Sequence, residues 1–258
     1  MNLTNQIIGQ IAREQLAIDL GCSAEDFLLN ENKVVISAEN DKARRYLQLP
    51  FSVQLVSYGR NIVASVAPHL QDIVCEYINR FPAEHCFETP NLHFLDDALA
   101  PFHLRSCFMA EYFLPDMHRL IPLGCPLPVR TLNRDAFAAL YLPAWQNALC
   151  AKRPHLDMIA VGAYDGDKLI GLAGASADCE NMWQIGIDVL PEYRQQGIAA
   201  ALTSRLACEI IARGKVPFYC AAWSNIASVR CAIRSGFRPA WVELTAKSNE
   251  FVHQMNHS

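Results

Sequence analysis

More of this chain's architecture follows from Val189-Leu190-Pro191-Glu192-Tyr193-Arg194-Gln195-Gln196-Gly197-Ile198-Ala199-Ala200 than from any other stretch. A largely apolar run, Ile185 to Leu190, leads into a short polar turn around Arg194 and Gly197. Beyond it Ile198, Leu202, Leu206 and Ile210 recur at helical spacing and mark one face of a helix. Strand, glycine-containing turn and helix start, in that order, form a natural seat for a phosphate group. The first N–H groups of a helix have no partner inside it, and Gly197 lets an anion approach the backbone with no side chain intervening. Taken alone, a glycine turn before a helix also serves packing in many α/β proteins.

Outward from this segment the second half of the chain reads cleanly. Val129 to Leu132 is a short strand, and Asn133 caps a helix directed toward Cys150 with a kink at Pro143. Met158 to Tyr164 and Lys168 to Gly174 flank Asp165-Gly166, a hairpin signal. Trp183 to Leu190 is the next strand, and the helix from Ile198 to Arg213 stops at Gly214. Val216 to Trp223 is a strand whose Pro217 needs no ladder N–H. Asn225 opens a second helix that ends before Gly236, and Phe237 to Thr245 closes the pattern as a strand.

Spacing adds a resemblance. Arg194-x-x-Gly197-x-Ala199, with Val189-x-Pro191 before it, resembles the Arg/Gln-x-x-Gly-x-Gly/Ala segment of the GNAT superfamily of N-acetyltransferases. Asn225, Ser228, Gly236 and Phe237 resemble that family's Asn-x-x-Ala/Ser…Gly-Phe segment downstream. The resemblance covers roughly the C-terminal half. It implies an α/β (α+β) fold, with a mixed, mostly antiparallel sheet flanked by helices, and acetyl-CoA as co-substrate. The expected division is an N-terminal α/β domain over residues 1–125 and an acetyl-CoA-binding domain over 126–258.

The resemblance also implies where the co-substrate lies. Its pyrophosphate falls on the backbone of Gln195, Gln196, Gly197, Ile198, Ala199 and Ala200, aided by the positive end of the helix dipole and by Arg194. Its pantetheine arm pairs like an extra strand with Ile187 to Val189, in a cleft where that strand splays from Val216 to Trp223. Asn225 contacts the arm, or serves only as N-cap, and Ser228 lies beside it. Gly186, Ala221 and Ala222 either keep the cleft open or mark close packing in a buried sheet.

Acetyl transfer needs a neutral amine, a polarised thioester carbonyl and a proton for the departing thiolate. Backbone N–H near Asp188 and Val189 suits the carbonyl. Asp188 is the first candidate base, with an exposed or hydrogen-bonded strand residue as its plain alternative; Glu111, Asp178 and Glu180 are weaker candidates. Many family members carry a tyrosine seven residues after the Asn as proton donor, and here that position is Ala232. Tyr219, Ser228, Cys231 or water must then supply the proton, and a tyrosine restored at 232 should be tolerated. Trp223 and Tyr219 sit on the strand facing the cleft and either shape an acceptor pocket or belong to the core.

Composition sets the outer limits. Of 258 residues 52% are hydrophobic and 19% charged, a well-buried globular balance with room for two small domains. A net charge of −4 gives no reason to expect nucleic acid. No apolar run is long enough to cross a bilayer and no basic segment precedes an apolar stretch at Met1, so the expectation is a cytoplasmic protein with no membrane partner. Ten cysteines without a Cys-x-x-Cys read as reduced, mostly buried thiols. His85, Cys86, His93, His103, Cys107, His118 and Cys125 fit no familiar zinc spacing, so no metal is expected.

In the first half, Leu3 to Leu20 is a helix capped by Gly21, Val34 to Ser37 a strand, and Ser52 to Tyr58 turns through Gly59-Arg60-Asn61 into Ile62 to Val66. Leu70 to Phe81 is helical to Pro82, Phe108 to Leu114 is a strand, and the proline-rich stretch from Ile121 to Pro128 is extended. The expected function is acetyl transfer to a primary amine of a small molecule or peptide, by direct attack in a ternary complex. The rivals are a non-catalytic acyl-CoA-binding module and an interaction protein working through the N-terminal half.

Overall fold

The computed structural model describes residues 3–257. In chain order it contains α1 (Asn5–Leu20), β1 (Lys33–Ile36), β2 (Val53–Ser57), β3 (Val63–Val66), α2 (Gln71–Arg80), α3 (Thr89–Leu99), β4 (Leu104–Pro115) and β5 (Val129–Asn133). These are followed by α4 (Arg134–Phe137), β6 (Asp157–Asp165), β7 (Lys168–Ser176), β8 (Met182–Val189), α5 (Ile198–Ala212), β9 (Val216–Ala221), α6 (Ile226–Arg234), β10 (Phe237–Ser248) and α7 (Asn249–His257). The registered strand pairs are antiparallel except β1 with β3 and β8 with β9. This is the mixed, mostly antiparallel α/β architecture expected.

The chain forms two compact units. Among the described residues, one joins those up to Ile11 to Tyr112–Pro239, and the other joins Ala12–Glu111 to those from Ala240 on. The chain therefore passes between them three times, and β4 and β10 each run through both.

In the first unit the strand order is β9-β8-β7-β6-β5. β6 and β7 meet in a tight hairpin in which Asp165 pairs with Lys168 and Gly166 takes a φ of 60°. The stripe Ile198, Leu202, Leu206 and Ile210 lies at 0–1% exposure and packs on Ala163, Ile170, Ala173 and Ile185 of the sheet. Each such side chain contributes about 1.5–3 kcal/mol by leaving water. Gly171 brings the helix close, since a Cβ there would already stand 3.1 Å from Leu202.

The expected helix from Asn133 toward Cys150 is corrected. Only Arg134–Phe137 is α-helical, followed by 3-10 turns over Ala138–Leu140 and Pro143–Trp145. Pro143 cannot continue a ladder, and the segment after it lies flat on the sheet. A Cβ on Gly174 would fall 2.0 Å from the Ala148 carbonyl oxygen, and one on Gly186 would fall 1.7 Å from that of Asn147. Phe137, Trp145, Ala148 and Leu149 bury themselves there against Ala160 and Leu172.

In the second unit β1-β3-β2-β10 form the sheet order. Val53, Leu55, Ala64, Val66, Leu244 and Ala246 share a core with Val74, Tyr77 and Ile78 of α2 and Leu95 and Leu99 of α3. Two helices, α3 and α7, were not expected from the sequence pattern. The opposite sheet face carries buried polar residues, Gln54, Ser65 and Glu243, beside the apolar Val56 and Val63. There Arg44 is 2% exposed and sits among three acceptors. Its Nε donates to Asp19, a second guanidinium nitrogen donates to Glu243 at 2.7 Å, and the third to the Tyr46 hydroxyl at 2.6 Å. Asp19 lies in the last turn of α1, where the helix dipole opposes a carboxylate; the Arg44 charge and the Gln15 amide at 2.9 Å offset that. Trp241 and Gln54 complete the shell around Glu243 at 2.8 and 3.3 Å.

Breaking such a buried pair leaves uncompensated charge. Arg44→Met should cost about 3–5 kcal/mol in urea unfolding, because it strands two buried carboxylates. Adding Asp19→Asn and Glu243→Gln to Arg44→Met should recover part of that loss. A single substitution costing under about 1 kcal/mol would show that the network is not a stability element.

Candidate functional site

The turn after β8 is built for exposed N–H groups. The last sheet bond of the strand runs from Leu190 N–H to the Ile170 carbonyl at 2.9 Å. Pro191 then opens a short 3-10 turn, closed by Tyr193 N–H on Leu190 (2.9 Å) and Arg194 N–H on Pro191 (3.3 Å). The turn is pinned to the β6–β7 hairpin by Tyr193 donating to Asp165 at 2.7 Å and by Lys168 on Glu192 at 3.0 Å. Gln195 and Gly197 both take left-handed backbone, with φ of 63° and 81°. A non-glycine residue there is uncommon, and such strain collects at ligand sites. Alternation of this kind turns successive N–H groups toward one point, an anion nest.

Helix α5 starts directly from the nest. Its first bond runs from Ala201 N–H to the Gly197 carbonyl at 3.1 Å. The N–H groups of Ile198, Ala199 and Ala200 therefore precede the ladder, at the positive end of a fifteen-residue helix. Arg194 is exposed and folds back, its Nε donating to the Val189 carbonyl at 3.0 Å. Because Gly197 is left-handed, any larger residue there strains the backbone whether or not a ligand binds.

The splay expected beside this turn is present. β8 and β9 are in register only at Met182–Val216, Trp183–Pro217 and Gln184–Phe218. β8 continues to Val189 and β9 to Ala221 without further paired residues. On its other side β8 stays paired with β7 as far as Val189, opposite Gly171. Ile187 to Val189 thus offers one backbone edge with no strand on it, ending at the nest.

Asp188 is hydrogen-bonded to the segment after Pro143. Its carboxylate accepts from Asn147 N–H (2.9 Å), the Asn147 side-chain amide (2.6 Å) and Ala148 N–H (3.0 Å). Gly186 likewise answers to packing, since the Asn147 carbonyl fills its side-chain position. The other carboxylates lie elsewhere: Asp178 is buried with Arg153 at 3.6 Å, and Glu180 precedes β8, at the end away from the turn.

Tyr219 turns into the core, 3% exposed, between Phe113 and Phe237. Its hydroxyl is hydrogen-bonded to Ser228 Oγ at 2.7 Å, and burial pushes the phenol's pKa well above its ordinary value. Asn225 caps α6, its side chain accepting from Ser228 N–H at 3.2 Å. Ala232 is fully buried beside Tyr219 and Phe237, so a tyrosine there overpacks the core, against the expectation of tolerance. Trp223 lies beyond the end of β9, 61% exposed, and not on the strand. Gly236 has a φ of 91° and lets the backbone of Leu120 approach to 2.8 Å of a would-be Cβ, the packing reason for glycine at this helix end.

One residue escaped the sequence reading. Arg234, in the last turn of α6, places its guanidinium 3.6 Å from the point where a Gly197 side chain would begin. It is exposed and joins none of the ion pairs seen among the described residues. Arg234 stands 37 positions from the glycine, and only the fold brings them together. No group of three or more His, Cys, Asp or Glu side chains gathers among the described residues, and the ten cysteines are free thiols.

Comparison with known proteins bears on the same region. Residues 158–240 match the family model described as GNAT acetyltransferase. No curated protein matches the chain. Among solved structures, a GNAT-family protein from Novosphingobium aromaticivorans is 21% identical with a TM-score of 0.39, the match covering 56% of this chain and 66% of that one. The chain thus spans just under two thirds of that protein's length. A GCN5-related N-acetyltransferase-like protein from Streptococcus suis is 15% identical with a TM-score of 0.46, covering 76% and 83%. A Salmonella typhimurium protein, solved with acetyl-CoA as its cofactor, is 16% identical with a TM-score of 0.35, covering 48% and 95%. The match to the GNAT acetyltransferase family lies in the C-terminal half, over residues 158–240, which contain the splayed strand, the nest and the Asn225 to Phe237 segment.

Proposed function

We propose that the domain transfers an acetyl group from acetyl-CoA to a primary amine of a small molecule or peptide, by direct attack in a ternary complex. The observation that carries this reading is the unpaired edge of Ile187 to Val189 running straight into the nest at Gln195 to Ala200. An arm bearing amides suits such an edge, and a pyrophosphate suits the helix start. Arg234 adds positive charge on the far side of Gly197, and Arg194 adds it before the turn.

The chemistry then rests on backbone and position more than on titrating side chains. Holding amine and thioester together supplies much of the rate, and N–H groups at the strand end polarise the carbonyl. Asp188 has its carboxylate engaged by the 147–148 backbone amides. Tyr219 is a poor acid, because losing its proton would leave a buried phenolate. A CoA thiol has a cysteine-like pKa near ~8.5, so water suffices to protonate the leaving group near neutral pH. A second reading, acyl-CoA binding without turnover, is favoured by the buried alanine at 232 and uses the same groove.

Acetyl-CoA at one hundred times its dissociation constant should stabilise the protein by about 2.7 kcal/mol. An unchanged melting temperature at millimolar acetyl-CoA contradicts the binding reading. A panel of primary amines, followed by thiol release, separates turnover from binding alone.

Arg234→Ala should weaken CoA by about 1 kcal/mol, near fivefold, since its guanidinium is solvated. Calorimetry with CoA and with its dephosphorylated pantetheine should show the loss only for CoA. Equal loss for both would remove Arg234 from the phosphate site.

Tyr219→Phe should retain turnover within about tenfold while losing about 1 kcal/mol of stability with the Ser228 hydrogen bond. A fall of roughly a hundredfold or more, with CoA affinity intact, would instead make Tyr219 the acid.

A further inference from the structure

The chain has six lysines, at 33, 42, 152, 168, 215 and 247. Lys33, Lys42, Lys152 and Lys168 are exposed, and Lys168 is ion-paired with Glu192 at 3.0 Å. Lys247, near the end of β10 in the second unit, is different. Its Nζ stands 4.3 Å from the centre of the Phe51 ring and 5.8 Å from that of Phe251 on α7. Phe108, 45% exposed, meets Phe251 edge-on at 5.9 Å and extends the apolar wall to the surface. No carboxylate forms an ion pair with Lys247 among the described residues. Aromatic faces attract an ammonium but hold no full counter-charge.

We propose that Lys247, enclosed by Phe51 and Phe251, is a site at which acyl thioesters acylate this protein. The donor class extends the reading of the first unit, where acetyl-CoA is the co-substrate, but the reaction at Lys247 does not depend on that site. The free amine attacks the thioester carbonyl carbon; the new N–C bond forms as the C–S bond breaks. The sulfur leaves with the electron pair, and the proton lost by nitrogen passes to the thiolate or to solvent. Nothing is oxidised or reduced.

Two features favour this lysine over the other five. Burial among the rings pushes its pKa down, opposed by the nearby Cys107 thiol, so more of it is the nucleophilic free amine. The product fits better than the substrate: a neutral amide with a methyl group packs against phenyl faces that an ammonium enters at a desolvation cost. Lys247 is only half-buried, so a small thioester reaches it.

The test uses the full chain and two donors, acetyl-CoA and the nucleotide-free thioester S-acetyl-N-acetylcysteamine. Initial acetylation is read at all six lysines by peptide mass spectrometry. Lys247 should be labelled several-fold ahead of Lys33, Lys42 and Lys152 by the short thioester. The same order with acetyl-CoA supports the proposal too. Labelling by the short thioester alone supports the proposal and restricts the donor at Lys247 to small thioesters. Lys247 reacting no faster than the exposed lysines with either donor overturns it. Phe251→Ala, verified as folded by circular dichroism, should bring Lys247 down to the rate of the exposed lysines; an unchanged lead would show that the ring enclosure has no part in it.

Discussion

β8 is paired along one side and abandoned on the other. Its bonds to β7 hold it rigid to Val189, while its register with β9 stops at Gln184 and Phe218. An unpaired strand edge is a liability in a folded protein, and here the strand that carries it is covered on both faces. Asp188 holds the Asn147–Ala148 backbone across the strand, and Gly174 and Gly186 surrender their side chains to make room for it. On the other face α5 packs its stripe of Ile198, Leu202, Leu206 and Ile210. The edge thus remains a preformed groove that ends at a strained nest.

The turn shows how strain and use go together. Two residues out of three, Gln195 and Gly197, are left-handed, and the first is not glycine. The cost is met by the 3-10 turn before them and by the ties of Tyr193 and Glu192 to the hairpin. Pre-organised N–H groups need no reordering when an anion arrives, which is the advantage of a rigid site over a mobile loop. Asp188 and Tyr219 are both occupied, one by backbone amides and the other by Ser228.

Much of this was legible in the sequence, for definite reasons. The 3.6-residue recurrence from Ile198 to Ile210 and the Asp165-Gly166 hairpin are local signals, and local geometry decides them. Arg234 was not legible, because its nearness to Gly197 comes from helix packing and leaves no mark in spacing. The segment before Cys150 misled for a related reason: its composition permits a helix, but two glycines on other strands draw its backbone flat. Gly186 had two readings until the Asn147 carbonyl was seen in its place. Tyr219 alternates away from the groove, which strand periodicity alone does not orient. In the second unit the polar cluster around Arg44 was invisible, since Asp19 and Glu243 are 224 positions apart in the chain.

The central claim is that one continuous backbone surface, strand edge then nest, receives CoA. Amide hydrogen exchange resolved to single residues tests it without any acceptor being known. At saturating CoA the account predicts slowed exchange at the N–H groups of Gln195 to Ala200 and along Ile187 to Val189, with Val53 to Ser57 of the second unit unchanged. Unaltered exchange across Ile187 to Ala200, with CoA shown to be bound by calorimetry, would place the ligand elsewhere and contradict the account.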